Sequence, residues 1–208
     1  KVHLPGNPCS GLVAGLGSIW VPLCGPTPRL ARVDLATNAI SAVFKIGPPA
    51  EEGGVTIGAG SVWLMTDKAG SLARINPVDG SVRQVVHLPA DSYNPIYSHG
   101  LIWVTQAKGT SVTAVDAATG QIRGTVRTGL HPRFLTAGAG SIWILDAGDG
   151  TVSQVDATKR SLSRTIHLGV QTRGGDIKYG DGVVWITLLK TPLSAIDARS
   201  GKLLCQWT

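Results

Sequence analysis

The sequence has few charged residues and lacks long apolar or helical stretches. Charged residues make up 15% of its 208 residues, and the only glutamates are Glu51 and Glu52. No apolar run approaches the roughly 18 residues that a membrane-spanning helix needs. No window of about a dozen residues has the i, i+3, i+4, i+7 apolar spacing of an amphipathic helix. These absences predict a protein without a membrane span and without a helical repeat.

A tryptophan recurs at nearly constant intervals along the chain. Trp20, Trp63, Trp103, Trp143 and Trp185 lie 43, 40, 40 and 42 residues apart. Each follows a short glycine phrase such as GAGSIW, and about a dozen residues later comes a second phrase such as QVDATKRSL. Self-similarity at a period of about 40 residues indicates a repeat architecture. A glycine phrase that recurs in every repeat is predicted to be part of the structural scaffold and not to form a single phosphate-binding loop.

The periodicity within each unit is that of strands. In the second unit the short apolar runs are GVTIG, SVWLMT, SLARIN and SVRQVVHL. Four antiparallel strands in about 40 residues are typical of a β-propeller blade. We therefore predict an all-β fold in which residues 1–208 form a single β-propeller domain. Its five complete blades are expected at about 10–47, 53–89, 93–129, 133–169 and 175–208.

The two ends of the chain carry one strand end more than five blades need. The opening KVHLPG resembles VVHLPA and TIHLG, which end the second and fourth units. Residues 1–4 therefore predict a surplus N-terminal strand end, while the last unit keeps its own outer strand in GKLLCQWT. This surplus predicts a segment of a longer propeller with six or more blades, which in isolation would form either an open arc or a tightened five-bladed ring. An open arc would expose apolar blade faces and favour self-association.

The second phrase of each unit predicts a tight turn. An Asp or Asn closes the third strand, where its side chain can bond the backbone two residues on. These residues are Asp34, Asn76, Asp116, Asp156 and Asp197. Four residues later stand residues expected to adopt positive φ, namely Asn38, Gly80, Gly120, Arg160 and Gly201. Arg160 departs from the Gly/Asn pattern, so its turn is expected to be strained or differently shaped.

The basic charge and the tryptophans do not predict nucleic-acid binding. The formal net charge is +6, but many of the cations fall in the outer strand of a unit or in the turn before it. Charges there protect an open sheet edge from pairing with another chain. The repeated tryptophans lie within apolar strands, where packing between neighbouring blades is the expected use of their large surface.

The three cysteines, Cys9, Cys24 and Cys205, form no C-x-x-C metal pattern. Cys9 precedes the first strand of a blade and Cys24 follows its second strand, and antiparallel neighbours bring those two ends together. The alternatives are a disulfide, which would imply an oxidising compartment, and two free thiols. Cys205 lies in an apolar strand and is expected to be a buried thiol.

The repeated phrase AGAGSIWILDAGDGTVSQVDATKRSLSRTIHLG resembles the blades of bacterial YVTN-type and virginiamycin B (streptogramin) lyase-like β-propellers. The resemblance covers nearly the whole chain. It implies export to a periplasmic or extracellular location. The lyases use a histidine and an acidic residue with a magnesium ion, but no unit here pairs a histidine with a nearby glutamate. We therefore predict no cofactor and no metal site, with magnesium expected only if the chain is lyase-like.

Function is expected where the copies differ. The loops nine to twelve residues before each tryptophan are variable, and all should reach the channel face of a propeller. The residues that could converge there on a small polar or anionic ligand are Glu52, Tyr93, Asn94, His131, Arg133, Arg173 and Asp176. Arginines would supply forked hydrogen bonds. The loops between second and third strands should reach the same face with Asp67, Lys68, Gln106, Lys108, Asp146, Asp149 and Lys190.

Three functions remain open at this point. The favoured one is a binding module that presents the variable face to a small ligand or a partner protein. The second is a lyase-like enzyme with His131 as base and Glu52 or Asp176 as its partner. The third is a structural propeller whose outer surface matters more than its channel.

Overall fold

The computed structural model describes residues 1–48, 53–170, 174–189, 191 and 193–207. The described part is built from strands and turns, without a helix. The first two sheets contain β1 (Asn7–Pro8), β2 (Val13–Gly15), β3 (Ser18–Cys24), β4 (Arg29–Asp34) and β5 (Ile40–Phe44), then β6 (Val55–Gly58), β7 (Ser61–Met65), β8 (Ser71–Ile75) and β9 (Val82–His87). The third and fourth sheets contain β10 (Ser92–Ser98), β11 (Leu101–Gln106), β12 (Ser111–Asp116) and β13 (Ile122–Arg127), then β14 (Pro132–Gly138), β15 (Ser141–Asp146), β16 (Thr151–Asp156) and β17 (Ser161–His167). The fifth sheet contains β18 (Asp176–Gly180), β19 (Val183–Thr187), β20 (Leu193–Asp197) and β21 (Leu203–Trp207).

These strands form five antiparallel sheets, one for each repeat. In the second to fifth sheets the strands lie side by side in chain order, as in β6-β7-β8-β9. In the first sheet β1 and β2 both pair with β3, so the inner strand is made in two pieces. The predicted all-β fold with four-stranded propeller blades is confirmed.

The chain divides into two compact units. The first contains Lys1–Ile102 and Asp116–Gln121, and the second contains Trp103–Val115 and Ile122–Thr208. Each unit has a core between consecutive sheets. In the first unit Trp20 of β3 packs with Leu64 of β7. In the second unit Trp143 of β15 packs with Ile186 of β19.

Four of the five repeated tryptophans are fully buried: Trp20, Trp63, Trp103 and Trp143. In the fourth blade, for example, the Trp143 indole N–H donates to the Gly138 carbonyl oxygen at 3.1 Å. Trp185 differs, since it is 38% exposed and stacks on Trp207 with 6.4 Å between ring centroids. The interpretation of the tryptophans as packing residues is therefore confirmed for four blades, and Trp185 is a partly solvated exception.

The predicted turns between third and fourth strands are present in all five repeats. In the fourth, the Thr158 N–H donates to Asp156 Oδ1 at 2.9 Å and the Arg160 N–H donates to the Asp156 carbonyl at 2.9 Å. Arg160 has a positive φ of 55°, and Gly120, at the equivalent position of the third repeat, has a positive φ of 75°. The turn thus keeps its shape, and the strain falls on Arg160, because a side chain disfavours positive φ.

Both ends of the chain pack as the sequence indicates. β21 pairs with β20, with Trp207 opposite Leu193, so the fifth sheet has its own outer strand. Val2 and Leu4 pack against a buried cluster of the first sheet that includes Leu23. KVHLPG therefore resembles the ends of the outer strands in its packing as well as in its sequence.

Cys9 and Cys24 form a disulfide with 5.6 Å between their Cα atoms. The adjacent residues Pro8 and Leu23 face each other across β1 and β3, which brings the two cysteines together. The disulfide prediction is confirmed. The expectation of a buried Cys205 is wrong, because β21 is the outermost strand of its sheet and solvent reaches this thiol.

We expect Cys205 to react with iodoacetamide in the folded protein without denaturant, because its thiol is exposed. Non-reducing peptide mapping should recover the Cys9–Cys24 peptide pair, and Cys9 and Cys24 should label only after reduction. A Cys205 that labels only in denaturant, or that is linked to another cysteine, would contradict this assignment.

Candidate functional site

In the second unit, the segment 128–131, hereafter the linker, connects β13 to β14. It is fixed on one side to the loop that follows β11. The Thr128 N–H donates to the Thr110 carbonyl and the His131 N–H donates to the Gly109 carbonyl, both at 2.9 Å. These bonds hold the linker where a variable loop was predicted to carry binding residues.

On its other side, the linker is fixed to the loop 147–150, between β15 and β16. The Ala147 N–H donates to the His131 carbonyl at 3.0 Å, and the Gly148 N–H donates to the Leu130 carbonyl at 2.9 Å. A Cβ placed on Gly148 would lie 2.9 Å from the Leu130 carbonyl oxygen, so the two backbones approach closely. The stretch DAGDG is therefore a hairpin loop, as predicted, and it supports the linker.

His131 and Arg133 stand next to this support. His131 is exposed and has φ 53°, in the left-handed region that is uncommon for residues other than glycine. Arg133 is half-buried, and its guanidinium carbon lies 5.4 Å from the centroid of the Phe134 ring. Phe134 packs in turn against the core cluster of this unit. A cation–π contact on a packed ring restricts where the guanidinium can point.

Asp176 is the third predicted residue in this unit. It is exposed at the start of β18, and its N–H donates to Thr187 Oγ1 at 3.0 Å. β18 packs beside β14, where the Tyr179 N–H donates to Thr136 Oγ1 at 3.2 Å. Arg133 and Asp176 therefore lie near the starts of neighbouring inner strands.

The other predicted residues are distributed differently. Tyr93 and Asn94 belong to the first unit, where Asn94 is 7% exposed and its Oδ1 accepts the Gly54 N–H at 2.7 Å. This bond gives Asn94 a structural role in holding the second and third repeats together. Glu52, Arg173 and Lys190 lie outside the described residues.

The residues predicted between second and third strands lie partly at strand ends and partly in loops: Gln106 and Asp146 end β11 and β15, and the others with described positions lie in the loops. Lys68 and Lys108 are exposed. Gln106 Oε1 accepts the Ser111 hydroxyl at 3.1 Å. Hydrogen bonds from the Ser71 side chain and backbone hold the pKa of Asp67 below its ordinary value. Asp67 and Gln106 thus serve the turns in which they lie.

Asp146 is the exception, because it is fully buried. Its Oδ2 accepts the Ser153 hydroxyl at 2.7 Å and the Thr151 hydroxyl at 3.2 Å. Its Oδ1 has no hydrogen-bond partner among the residues that the structure describes. The sequence did contain a signal for this site: the residue three after each repeated tryptophan is Leu23, Thr66, Gln106, Asp146 or Leu188. Only the fourth repeat puts a carboxylate there.

Burial raises the pKa of the Asp146 carboxyl from 3.8 to about 6. This value is the net result of opposing effects: hydrogen bonds from Ser153, Thr151 and the Gly129 N–H lower the pKa, and the negative charge of Asp149 adds to the rise. A buried carboxyl that is not fully hydrogen-bonded favours its neutral form, because the charged form loses hydration.

The described residues contain no cluster of three His, Cys, Asp or Glu side chains that could hold a metal ion. Nor does this part of the chain include a helix with the length and hydropathy of a membrane span.

Several solved structures are similar to this chain, whereas no protein-family model and no curated protein sequence matches it. Streptogramin B lyase is 15% identical over 95% of this chain and 67% of its own, with a TM-score of 0.75. BamB from Moraxella catarrhalis is 16% identical over 94% and 63%, with a TM-score of 0.71. Apo AztD from Citrobacter koseri is 16% identical over 95% and 59%, with a TM-score of 0.59.

These similar structures are β-propellers, and the chain is accordingly a β-propeller repeat protein. At such identities the likeness extends to the fold alone. The chain spans 59% of the length of AztD and 63% of the length of BamB.

Proposed function

We propose that this chain is an exported binding module of the YVTN or streptogramin lyase-like repeat type. In this proposal, the surface around the linker binds a small polar or anionic ligand, or an acidic side chain of a partner protein. The observation that carries the proposal is Arg133, a half-buried guanidinium over the Phe134 ring and two residues from the exposed His131. A positioned guanidinium offers a carboxylate or phosphate two parallel N–H bonds.

The local scaffold supports a binding role. Because the linker is bonded to the loops on both sides, the site is largely ordered before a ligand arrives. A preformed site loses little conformational entropy on binding. Asp176 adds a nearby negative group, which would favour ligands that carry a hydrogen-bond donor beside their acid group.

Export is supported by the Cys9–Cys24 disulfide, which is consistent with a periplasmic or extracellular location. The lyase-like alternative uses the same surface, with His131 as base and Asp176 as its partner. The 15% identity to streptogramin B lyase concerns the fold, so turnover is a separate outcome to be measured.

We expect the Arg133→Ala protein to bind its ligand roughly 10- to 100-fold more weakly than the unmodified protein. This range corresponds to the loss of about 1.5–3 kcal/mol from hydrogen bonds to a charged group. A thermal-shift screen of carboxylates, phosphate, acidic glycans and metal ions would identify the ligand, and titration calorimetry would measure its affinity.

Arg83→Ala is the matched control, because Arg83 is an exposed arginine on the outer strand β9. It should leave the affinity unchanged. Equal losses from both substitutions would indicate diffuse surface charge and would refute the proposed site. Ligand consumption that disappears in His131→Ala would favour the lyase-like alternative.

A further inference from the structure

The linker passes directly over the buried carboxyl of Asp146. A Cβ placed on Gly129 would lie 2.6 Å from Thr151 Oγ1 and 2.8 Å from the Asp146 Cβ, so only a glycine fits there. The Gly129 N–H donates to Ser153 Oγ at 3.3 Å, and the same hydroxyl donates to Asp146 Oδ2. The backbone of the linker therefore forms the cover that keeps water away from this carboxyl.

A second carboxylate ties the linker to the same cluster. Asp149 Oδ2 accepts the Leu130 N–H at 2.9 Å, and Asp149 Oδ1 accepts the Thr151 hydroxyl at 2.8 Å. Thr151 has one hydroxyl proton, yet it lies within hydrogen-bond distance of both Asp149 and Asp146. When Asp146 is ionised, Ser153 is its one full hydroxyl donor, and the Gly129 N–H of the linker adds a weaker favourable interaction. Burial and the negative charge of Asp149 outweigh these donors, so the charge is incompletely compensated.

We propose that Asp146 and the linker form a proton-sensitive latch, in which the linker stays closed over the neutral carboxyl and opens more often when the carboxyl is ionised. Opening would let water reach Asp146 and separate the linker from the loop 147–150. The effect on ligand binding rests on the proposed function, since the linker contains His131 and leads into Arg133. The latch itself does not require a ligand.

The direction of the effect follows from linkage. With the linker closed, the pKa of Asp146 is about 6, and in the open state it returns toward 3.8. The closed state therefore binds the proton more tightly, so raising the pH favours opening. The opening constant should rise about tenfold per pH unit between roughly pH 4 and pH 6, and then level off.

The strands and loops that pack against Asp146 or lie next to it carry several other titratable or charged residues. They are Asp149 on the loop, His131 on the linker, Arg127 at the end of β13, Arg133 on β14, His167 at the end of β17 and Asp176 on β18. Asp149 raises the pKa of Asp146, as burial does, because its negative charge disfavours a second negative charge on Asp146. The positive groups would oppose it, and the pKa of Asp146 is nevertheless raised.

Native-state hydrogen exchange of the ligand-free protein tests the latch. The reporters are the amides of His131, Ala147 and Gly148, whose hydrogen bonds hold the linker closed. After correction for intrinsic exchange, their protection should fall by roughly 100-fold from about pH 4 to pH 7, as a shift of about two pKa units requires.

The second repeat supplies an internal control. There the Leu88 N–H donates to the Gly70 carbonyl and the Asp91 N–H to the Lys68 carbonyl, at 2.9 and 3.1 Å. Thr66 occupies the position of Asp146 in this repeat. The protection of these two amides should not show the decrease over the same range. In the Asp146→Asn protein, the protection of the three reporter amides should no longer depend on pH over this range.

Constant or rising protection at the reporters of the unmodified protein would overturn the latch, as would an equal decrease at the controls. The pH series of the unmodified protein decides the matter even if Asp146→Asn fails to fold. Because no ligand is present, failure of the latch leaves the binding proposal intact, and the Arg133→Ala titration tests that proposal separately.

Discussion

Replacing Trp143 by alanine should destabilise the protein by about 3–5 kcal/mol, the usual cost of truncating a buried aromatic residue. Trp143 is fully buried, packs in the core cluster between the fourth and fifth sheets, and hydrogen-bonds to Gly138. Its removal leaves a closed cavity and also a backbone carbonyl without its indole partner. Urea denaturation followed by circular dichroism would measure the loss as a lower midpoint.

Trp185→Ala is the matched control, because Trp185 occupies the same position in the next repeat. Trp185 is 38% exposed, and water can fill the space that its side chain leaves. Its replacement should cost on the order of 2 kcal/mol, mainly through lost apolar contact with Trp207. Equal losses at the two positions would mean that the exposed face of the fifth sheet is covered in solution.

The second large effect concerns pH. The free energy of unfolding should fall by about 2 kcal/mol between about pH 4 and pH 6, and by about 3 kcal/mol over the whole titration, because the folded-state pKa of Asp146 is raised by about two units. The folded protein binds this proton more tightly than the unfolded chain does. The stabilisation is thus fully present below pH 3.8 and is lost as the pH passes through about 6.

The Asp146→Asn protein isolates this contribution. Asparagine keeps an oxygen that can accept the Ser153 hydroxyl but does not titrate. The two proteins share every other titratable group, so the difference between their stability profiles is assigned to Asp146. Asp34, Asp79 and Asp197 have lowered pKa values and act below about pH 4, outside this window. Parallel profiles for the two proteins would contradict the prediction.

Much of the fold could be predicted from the sequence because the information is local and repeated. The turn at Asp156 and Arg160 depends on residues within four positions of each other, and it forms as expected. The pairing of Cys9 with Cys24 follows from the order of two adjacent strands. A single short apolar run could be a strand or part of a buried helix, but five copies of the same pattern together indicate strands.

The errors arise where burial depends on a residue's neighbours in space. Cys205 lies in an apolar strand, but that strand is the edge of its sheet and the thiol is exposed. Trp185 repeats the sequence context of Trp143, yet the two differ in exposure. A similar local sequence thus gives different burial, since burial is set by what packs on the opposite side.

The candidate site divides in the same way. The sequence by itself determined the repeat, the strand pattern, the turns and the segment in which His131 stands, because these depend on residues close together in the chain. Arg133, predicted to lie in a loop, lies instead near the start of strand β14. Only the tertiary structure decided that Arg133 lies over Phe134 and that the linker covers Asp146. Three segments, the linker, the loop after β15 and strand β16, must meet before that carboxyl loses its water, and such a meeting leaves no local pattern in the sequence.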